Sequence, residues 1–348
     1  MRAFRRAGRS VIGLVAAAGF LALAAHPAPG SQESPAGLGA AAAELREDSV
    51  RFRSGDVELH GMLRLPADAR GDDPMPAVVL LPGGGTQVLT MEPDYWAGRL
   101  AAAGFATLVY HKRGTGDSGG DWASATFDDF IADAGAAIEM LRRDPRIDDR
   151  IGVMGFSQGG RLAPIVAARF GAGAAVAVSG PQLPPAETRL YSLGNALREG
   201  GMPEENLEVA LALWREHMDR LSSGADLAPL DPRIAEAAER MNPRALPPTS
   251  GDYTPSPIFN SLDFDGVPDL ARLDVPFLAL YGREDRSVPT AASVEVLRET
   301  FAASGYGGLA LIVIPGVGHG LSVDPETRHP VYESVPASWL AVKLGADG

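Results

Sequence analysis

Six short apolar runs, separated by stretches of helical periodicity, constrain this chain more than anything else in it. They are "AVVLLP" (Ala77–Pro82), "FATLVYH" (Phe105–His111), "RIGVMGF" (Arg150–Phe156), "AAVAVSG" (Ala174–Gly180), "VPFLALYG" (Val275–Gly282) and "LALIVIPG" (Leu309–Gly316). An uninterrupted apolar run of this length fits a strand buried on both faces. Most of the intervening stretches repeat apolar residues every three or four positions. Thr126–Arg143 is the clearest, with Phe127, Phe130, Ile131, Ala134, Ile138 and Leu141 on one face. Asp128 and Asp129 suit the positive end of that helix, and Arg142 and Arg143 the other. Gly135 inside it costs about 1 kcal/mol against alanine, which the length of the pattern outweighs. Strands alternating with helices predict βαβ units, so the chain is of the α/β class with a mostly parallel central sheet.

Two segments depart from that alternation. "VRFRSGDVELHGMLRLP" has period two about an "SGD" turn and predicts an N-terminal antiparallel hairpin. Residues 182–270 carry helical stretches, then a Pro-, Ser- and Gly-rich run, and no strong strand. They read as a helical cap inserted over one end of a sheet core made of residues 48–181 and 271–348.

The first 25 residues read as an export signal. Four arginines precede the 15-residue apolar run "VIGLVAAAGFLALAA", and small residues at Ala22, Ala24 and Ala25 close it. A membrane span needs about 20 apolar residues. The expectation is cleavage near Ala24 or Ala25 and a secreted or periplasmic product, with an uncleaved anchor as the rival. Residues 26–47 read as a leader. The chain has no cysteine, which excludes disulfides and a lipid-modified cysteine. Its net charge is −13, and loss of the signal removes four positive charges and no negative ones. Such an acidic surface repels nucleic acid and anionic lipid, so neither a nucleic-acid partner nor a membrane partner after cleavage is expected.

The chemistry concentrates at "IGVMGFSQGG" (Ile151–Gly160), where Ser157 stands between a strand and a helix. At such a turn the backbone is strained and the hydroxyl stands at the C-terminal edge of the sheet. Gly155 and Gly159 are needed there because side chains would meet the neighbouring helix and strand.

A serine needs a base. Of six histidines, His26 lies at the signal boundary, His60 on the polar face of the hairpin and His217 on a cap helix, while His111 closes a strand before the serine. His319, in "PGVGHG" after the last strand, is the expected base, with His329 the alternative. Asp285 in "YGREDRSVP" is the expected orienting carboxylate, and its neighbour Glu284 is expected to point away.

Oxyanion donors are expected from Gln158 and from the loop "LLPGGGTQ", with Gly84 first and Gly85 second. The segment Arg113–Ser118 reads as a tight loop bracing that side of the pocket. It lacks the ending of a phosphate-binding loop. No cluster has zinc or calcium spacing, so no metal ligands are expected. Phe156 and the cap residues Leu213 and Trp214 are candidates for lining the substrate pocket, with burial in the core the preferred reading.

Residues from about 48 to 345 resemble α/β-hydrolases of the serine esterase and aminopeptidase type. The carriers are "YHKRGTGDSGG", "RIGVMGFSQGGRLAPIVAAR", "YGREDRSVP" and "GVGHG", in that order. The order Ser157, Asp285, His319 is that of this fold. The first two segments look most like bacterial esterases with a D-K-R-G-x-G-x-S loop. The resemblance implies an α/β-hydrolase fold with a helical cap, a Ser157–His319–Asp285 triad, small-molecule carboxylic esters as substrates, and no cofactor. One departure stands at Pro82-Gly83-Gly84-Gly85, where many relatives carry His-Gly. The alternatives are a peptidase on the same triad and a non-catalytic binding protein. A dehalogenase with an aspartate nucleophile is disfavoured by the serine.

Overall fold

The computed structural model describes residues 44–69, 73–86, 91–324 and 327–345, with the side chains of 91–94 excepted. The export signal and most of the expected leader lie outside the described residues. The hairpin is β1 (Leu45–Ser54) and β2 (Val57–Pro66), turning through Gly55, whose φ of 57° suits glycine. It begins earlier than the expected leader boundary of 47. Leu45, Arg46 and Glu47 pair with Pro66, Leu65 and Arg64, and Glu47 accepts from Arg64 Nε at 2.7 Å.

The alternating elements follow: β3 (Met75–Leu81), α1 (Met91–Ala102), β4 (Ala106–Tyr110), α2 (Phe127–Arg142), β5 (Ile147–Phe156), α3 (Gln158–Phe170) and β6 (Ala174–Val178). The insertion supplies α4 (Pro185–Glu199), α5 (Glu204–Ser223), α6 (Asp231–Ala238) and α7 (Val267–Leu270). The chain then returns through β7 (Phe277–Gly282), α8 (Thr290–Ser304), β8 (Leu309–Ile314) and α9 (Pro330–Leu344).

The eight strands form one sheet in the order β1-β2-β4-β3-β5-β6-β7-β8. The β1–β2 and β2–β4 pairs are antiparallel and every other pair is parallel. Strands β3 to β7 are buried almost throughout because helices cover both faces, which explains their unbroken apolar runs. One core lies under α2 and α3, around Val79, Leu108, Ile138, Val153 and Phe277; the other lies under α1 and α9, around Val78, Trp96, Met154, Leu278 and Tyr332.

Local chemistry accounts for the helix ends. Thr126 and Asp129 form a reciprocal capping box at the start of α2. Gly135, the weak point of that helix by propensity, is where the ring of Phe170 lands. A Cβ there would lie 2.3 Å from the ring, so the missing side chain lets α2 and α3 pack closely.

The cap has a small core of its own around Ala210, Leu213, Leu230, Ile234 and Leu246. Its far end departs from the expected boundary at 270. Phe264 and Leu270 pack into the main core, and Asp269 on α7 takes a bidentate pair from Arg169 of α3 at 3.0 and 2.7 Å. The helical insertion therefore rejoins the core before its last helix. Among the described residues, no helix is long and apolar enough to cross a membrane.

Candidate active site

Three loops at the carboxyl ends of parallel strands bring Ser157, Asp285 and His319 together. Ser157 joins β5 to α3 with φ 54° and ψ −114°, a conformation that non-glycine residues seldom adopt. Its backbone is held by its own N–H donating to Val178 O at 2.8 Å, and by its carbonyl accepting from Arg161 N at 3.0 Å. The flanking glycines make the turn sterically feasible. A Cβ on Gly155 would lie 2.1 Å from Gly159 O, and one on Gly159 would lie 2.1 Å from Leu81 O on β3.

His319 Nε2 is 3.0 Å from Ser157 Oγ, and His319 Nδ1 is 2.8 Å from Asp285 Oδ2. Asp285 is buried, and its other oxygen accepts from Ser287 N and Val288 N, both at 2.8 Å. With Nδ1–H donating to Asp285, Nε2 is left to accept from the serine hydroxyl. Glu284 is exposed beside this buried Asp285. His329 is elsewhere in role: it caps α9, its Nδ1 accepting from Val331 N at 3.2 Å.

Two positioning residues carried no signal in the sequence. Ser179, just past β6, also has positive φ (49°), and its hydroxyl donates to the carbonyl of His319 at 2.8 Å. Tyr191 on cap helix α4 donates its hydroxyl to Asp285 O at 2.8 Å. Arg161 of α3 is buried and donates to Leu183 O and to Thr188 Oγ1, joining the serine-bearing helix to the start of the cap.

The glycine loop is held from below by Lys112, another residue whose role the sequence did not disclose. Its buried ammonium donates to Gly83 O at 2.5 Å, Gly85 O at 3.2 Å and Gln158 Oε1 at 2.8 Å. These acceptors are neutral, and burial pushes the lysine down to about 7. Gly83 is the glycine that packs on the nucleophile, its Cβ position being 3.6 Å from Ser157 Cβ, whereas Gly84 and Gly85 are exposed with nothing within 4 Å of theirs.

The bracing loop is fixed in turn by Arg113. It forms a bidentate pair with the fully buried carboxylate of Asp133, at 2.9 and 2.6 Å, and reaches Asp129 at 2.5 Å.

Two of the pocket candidates part company. Phe156 is half-buried, with its ring 5.0 Å from that of His319. Trp214 is buried inside the cap, where its indole N–H donates to Ala245 O at 2.9 Å and its ring lies parallel to Phe259. Its donor is used within the cap and its side chain is buried there, in keeping with the core role rather than the pocket role. Away from Ser157, the fold gathers one ligand atom each of His60, His111 and Asp117 within 4.8 Å of one another.

The chain is similar to esterase EstD of Thermotoga maritima, 29% identical over 214 residues. The match covers 56% of this chain and 50% of that protein, so the chain spans about half the length of the curated relative it matches. Among solved structures, the esterase Pf2001 of Pyrococcus furiosus superposes with a TM-score of 0.55 at 19% identity, over 86% of this chain and 91% of that one. Est1E from Butyrivibrio proteoclasticus, solved with ferulic acid bound, does so with a TM-score of 0.55 at 16% identity, over 85% and 99%. These two likenesses speak to the fold. The family model described as the Alpha/beta hydrolase family matches residues 78–329. That span runs from the first parallel strand past the histidine loop, and the chain belongs to the alpha/beta hydrolase family.

Proposed function

We propose that the protein is an exported serine hydrolase of small carboxylic esters. The observation that carries this reading is the continuous chain of contacts from Asp285 through His319 to Ser157, at 2.8 and 3.0 Å. Its likeness to esterase EstD supports the substrate class.

In this reading His319 Nε2 accepts the proton of Ser157 Oγ as the oxygen attacks the ester carbonyl. The carbonyl oxygen becomes an oxyanion at the N-terminus of α3, where the Gln158 N–H and an N–H of the Gly83–Gly85 loop stabilise it. Lys112 fixes both sides of that hollow at once, since it binds the loop carbonyls and the Gln158 side chain. Asp285 stabilises the imidazolium without taking its proton. The imidazolium then protonates the departing alcohol, leaving an acyl-Ser157 ester. Water deprotonated by His319 attacks that ester, and the imidazolium returns the proton to Ser157 Oγ as the acid is released. Tyr191 joins the cap to the acid loop, and the Phe156 ring lies 5.0 Å from that of His319.

Export rests on residues 1–25, and N-terminal sequencing of the secreted chain tests it. A fluorophosphonate probe tests the chemistry. Covalent labelling that disappears in Ser157→Ala is the expected result, and an unlabelled wild-type chain overturns the reading. A series of p-nitrophenyl esters of increasing acyl length, run beside aminoacyl p-nitroanilides, tests the substrate class. Turnover of the esters is expected, and turnover of the anilides alone would make the protein a peptidase.

A further inference from the structure

We propose that His60, His111 and Asp117 form a binding site for a divalent cation of the zinc type, outside the Ser157 site. Each offers one ligand atom, and the three atoms lie within 4.8 Å of one another. Two imidazoles and a carboxylate are a donor set for borderline cations such as Zn²⁺, rather than for Ca²⁺ or Mg²⁺, which prefer oxygen.

The backbone holds these groups in place before any ion arrives. Gly61 of β2 pairs with Tyr110 of β4 in the antiparallel ladder, so His60 and His111 stand opposite each other. His111 N donates to His60 O at 2.9 Å. The hydroxyl of Ser118 closes the other side, accepting from His60 N at 2.9 Å and donating to His111 O at 2.8 Å. The two rings lie nearly parallel, with centroids 5.9 Å apart. Gly116, at φ +52°, lets the His111 ring rest against the turn; a Cβ there would lie 2.3 Å from Nδ1. Asp117 comes next in that turn.

The side-chain bonding points to a missing partner. His60 Nε2 is 2.7 Å from Ser49 Oγ, the kind of outer contact that orients a ligating imidazole. His60 Nδ1 is buried and makes no hydrogen bond, although Asp117 Oδ2 stands 3.5 Å away. A plain ion pair between these two would leave His111 without a role and this nitrogen poorly satisfied. A cation between the three answers both. Arg51 lies opposite His60 in the β1–β2 ladder, but its charge is paired with Glu58 at 2.7 Å. The Asp117 side chain is 72% exposed, which leaves the outer coordination positions to water. An ion here ties β2 to the turn after β4, one residue from Lys112.

The test uses the untagged chain freed of metal, with Zn²⁺ followed by calorimetry and Co²⁺ by its visible absorption. One equivalent is expected to bind, with the d–d bands of a four- or five-coordinate site, and to raise the thermal midpoint by about 4 °C at a hundredfold excess over Kd. Asp117→Asn, on an exposed turn, is expected to keep the wild-type circular dichroism and to weaken binding by about tenfold or more. The pair His60→Ala/His111→Ala is expected to abolish it. Absence of Zn²⁺ binding at millimolar concentration, or binding unchanged in either variant, overturns the site. These readouts do not depend on ester hydrolysis, so they stand apart from the proposed function.

Discussion

Lys112 Nζ and Gln158 Oε1 are 2.8 Å apart, and this contact joins the glycine loop to the first residue of the serine-bearing helix. The same ammonium holds Gly83 O and Gly85 O, so one side chain sets the spacing of the two segments expected to supply oxyanion donors. Replacing it by methionine keeps the stem and removes the three bonds. Lys112→Met is expected to lower kcat on an ester by about tenfold to a hundredfold with a smaller change in KM. Steady-state kinetics beside a thermal melt separates this from simple unfolding.

The protonation state of Lys112 adds a pH dependence. Burial places it at about 7, against 10.5 for a free lysine. A neutral amine has two N–H groups, too few for three acceptors, so kcat is expected to fall as pH rises through about 7. Lys112→Met should remove that limb. Stability moves the other way. Between about 7 and 10.5 the unfolded chain holds the extra proton, so this group's contribution to folding rises with pH across that window. A pH series of melts and of kcat reads both trends.

The carboxylate role can be assigned by exchange of neighbours. Asp285→Asn keeps the shape but no longer demands a protonated Nδ1, and is expected to cost about 10⁴-fold in kcat. Glu284→Gln, on the exposed adjacent residue, is expected to leave kcat unchanged. Equal losses in both variants would contradict the assignment.

The glycines around the site divide by what a methyl group would meet. Gly155→Ala places a Cβ 2.1 Å from Gly159 O, and is expected to destabilise the fold by about 4 kcal/mol or more, or to prevent soluble expression. Gly84→Ala meets nothing within 4 Å and is expected to keep stability within about 0.5 kcal/mol. Any loss of activity in Gly84→Ala then reports on the loop's contact with substrate. Chemical denaturation supplies the comparison.

The cap contains a weak point at His217. It is fully buried among Trp214, Tyr253 and Phe259, and neither ring nitrogen has a hydrogen-bond partner among the described residues. Burial holds it below its ordinary 6.5. The unfolded chain therefore takes up the proton first, and the stability contributed by neutral His217 is full above 6.5 and lost as pH falls from there towards the lowered value. His217→Leu is expected to raise stability by about 1–2 kcal/mol at neutral pH and to flatten the acid side of the profile. Melts at pH 5 and pH 8 check this.

Position along the chain was enough to expect Ser157, Asp285 and His319 side by side, as their contacts at 2.8 and 3.0 Å have them, because each sits in a short loop directly after an apolar strand. A parallel sheet delivers such loops to one edge, so local pattern and order imply proximity. The same reasoning separated His319 from His60, His111 and His217, which lie on other elements. It did less well wherever a side chain's role depends on what arrives from far away. Trp214 has the same helical spacing whether it faces substrate or the cap interior, and only packing against Phe259 and Ala245 decided it. The far end of the cap slipped for the same reason, since Phe264 and Leu270 look no different in sequence from their neighbours.

By itself, the amino-acid order determined the α/β alternation, the hairpin, the strained serine turn and the order of the three central residues. Those follow from periodicity and from backbone sterics, which act over a few residues. Tertiary structure alone decided that Lys112 spans the glycine loop and Gln158, that Ser179 holds the His319 carbonyl, and that His60 meets His111 and Asp117. Those relationships join residues 46, 140 and 51 or more positions apart, where the sheet order, rather than local pattern, sets which atoms meet.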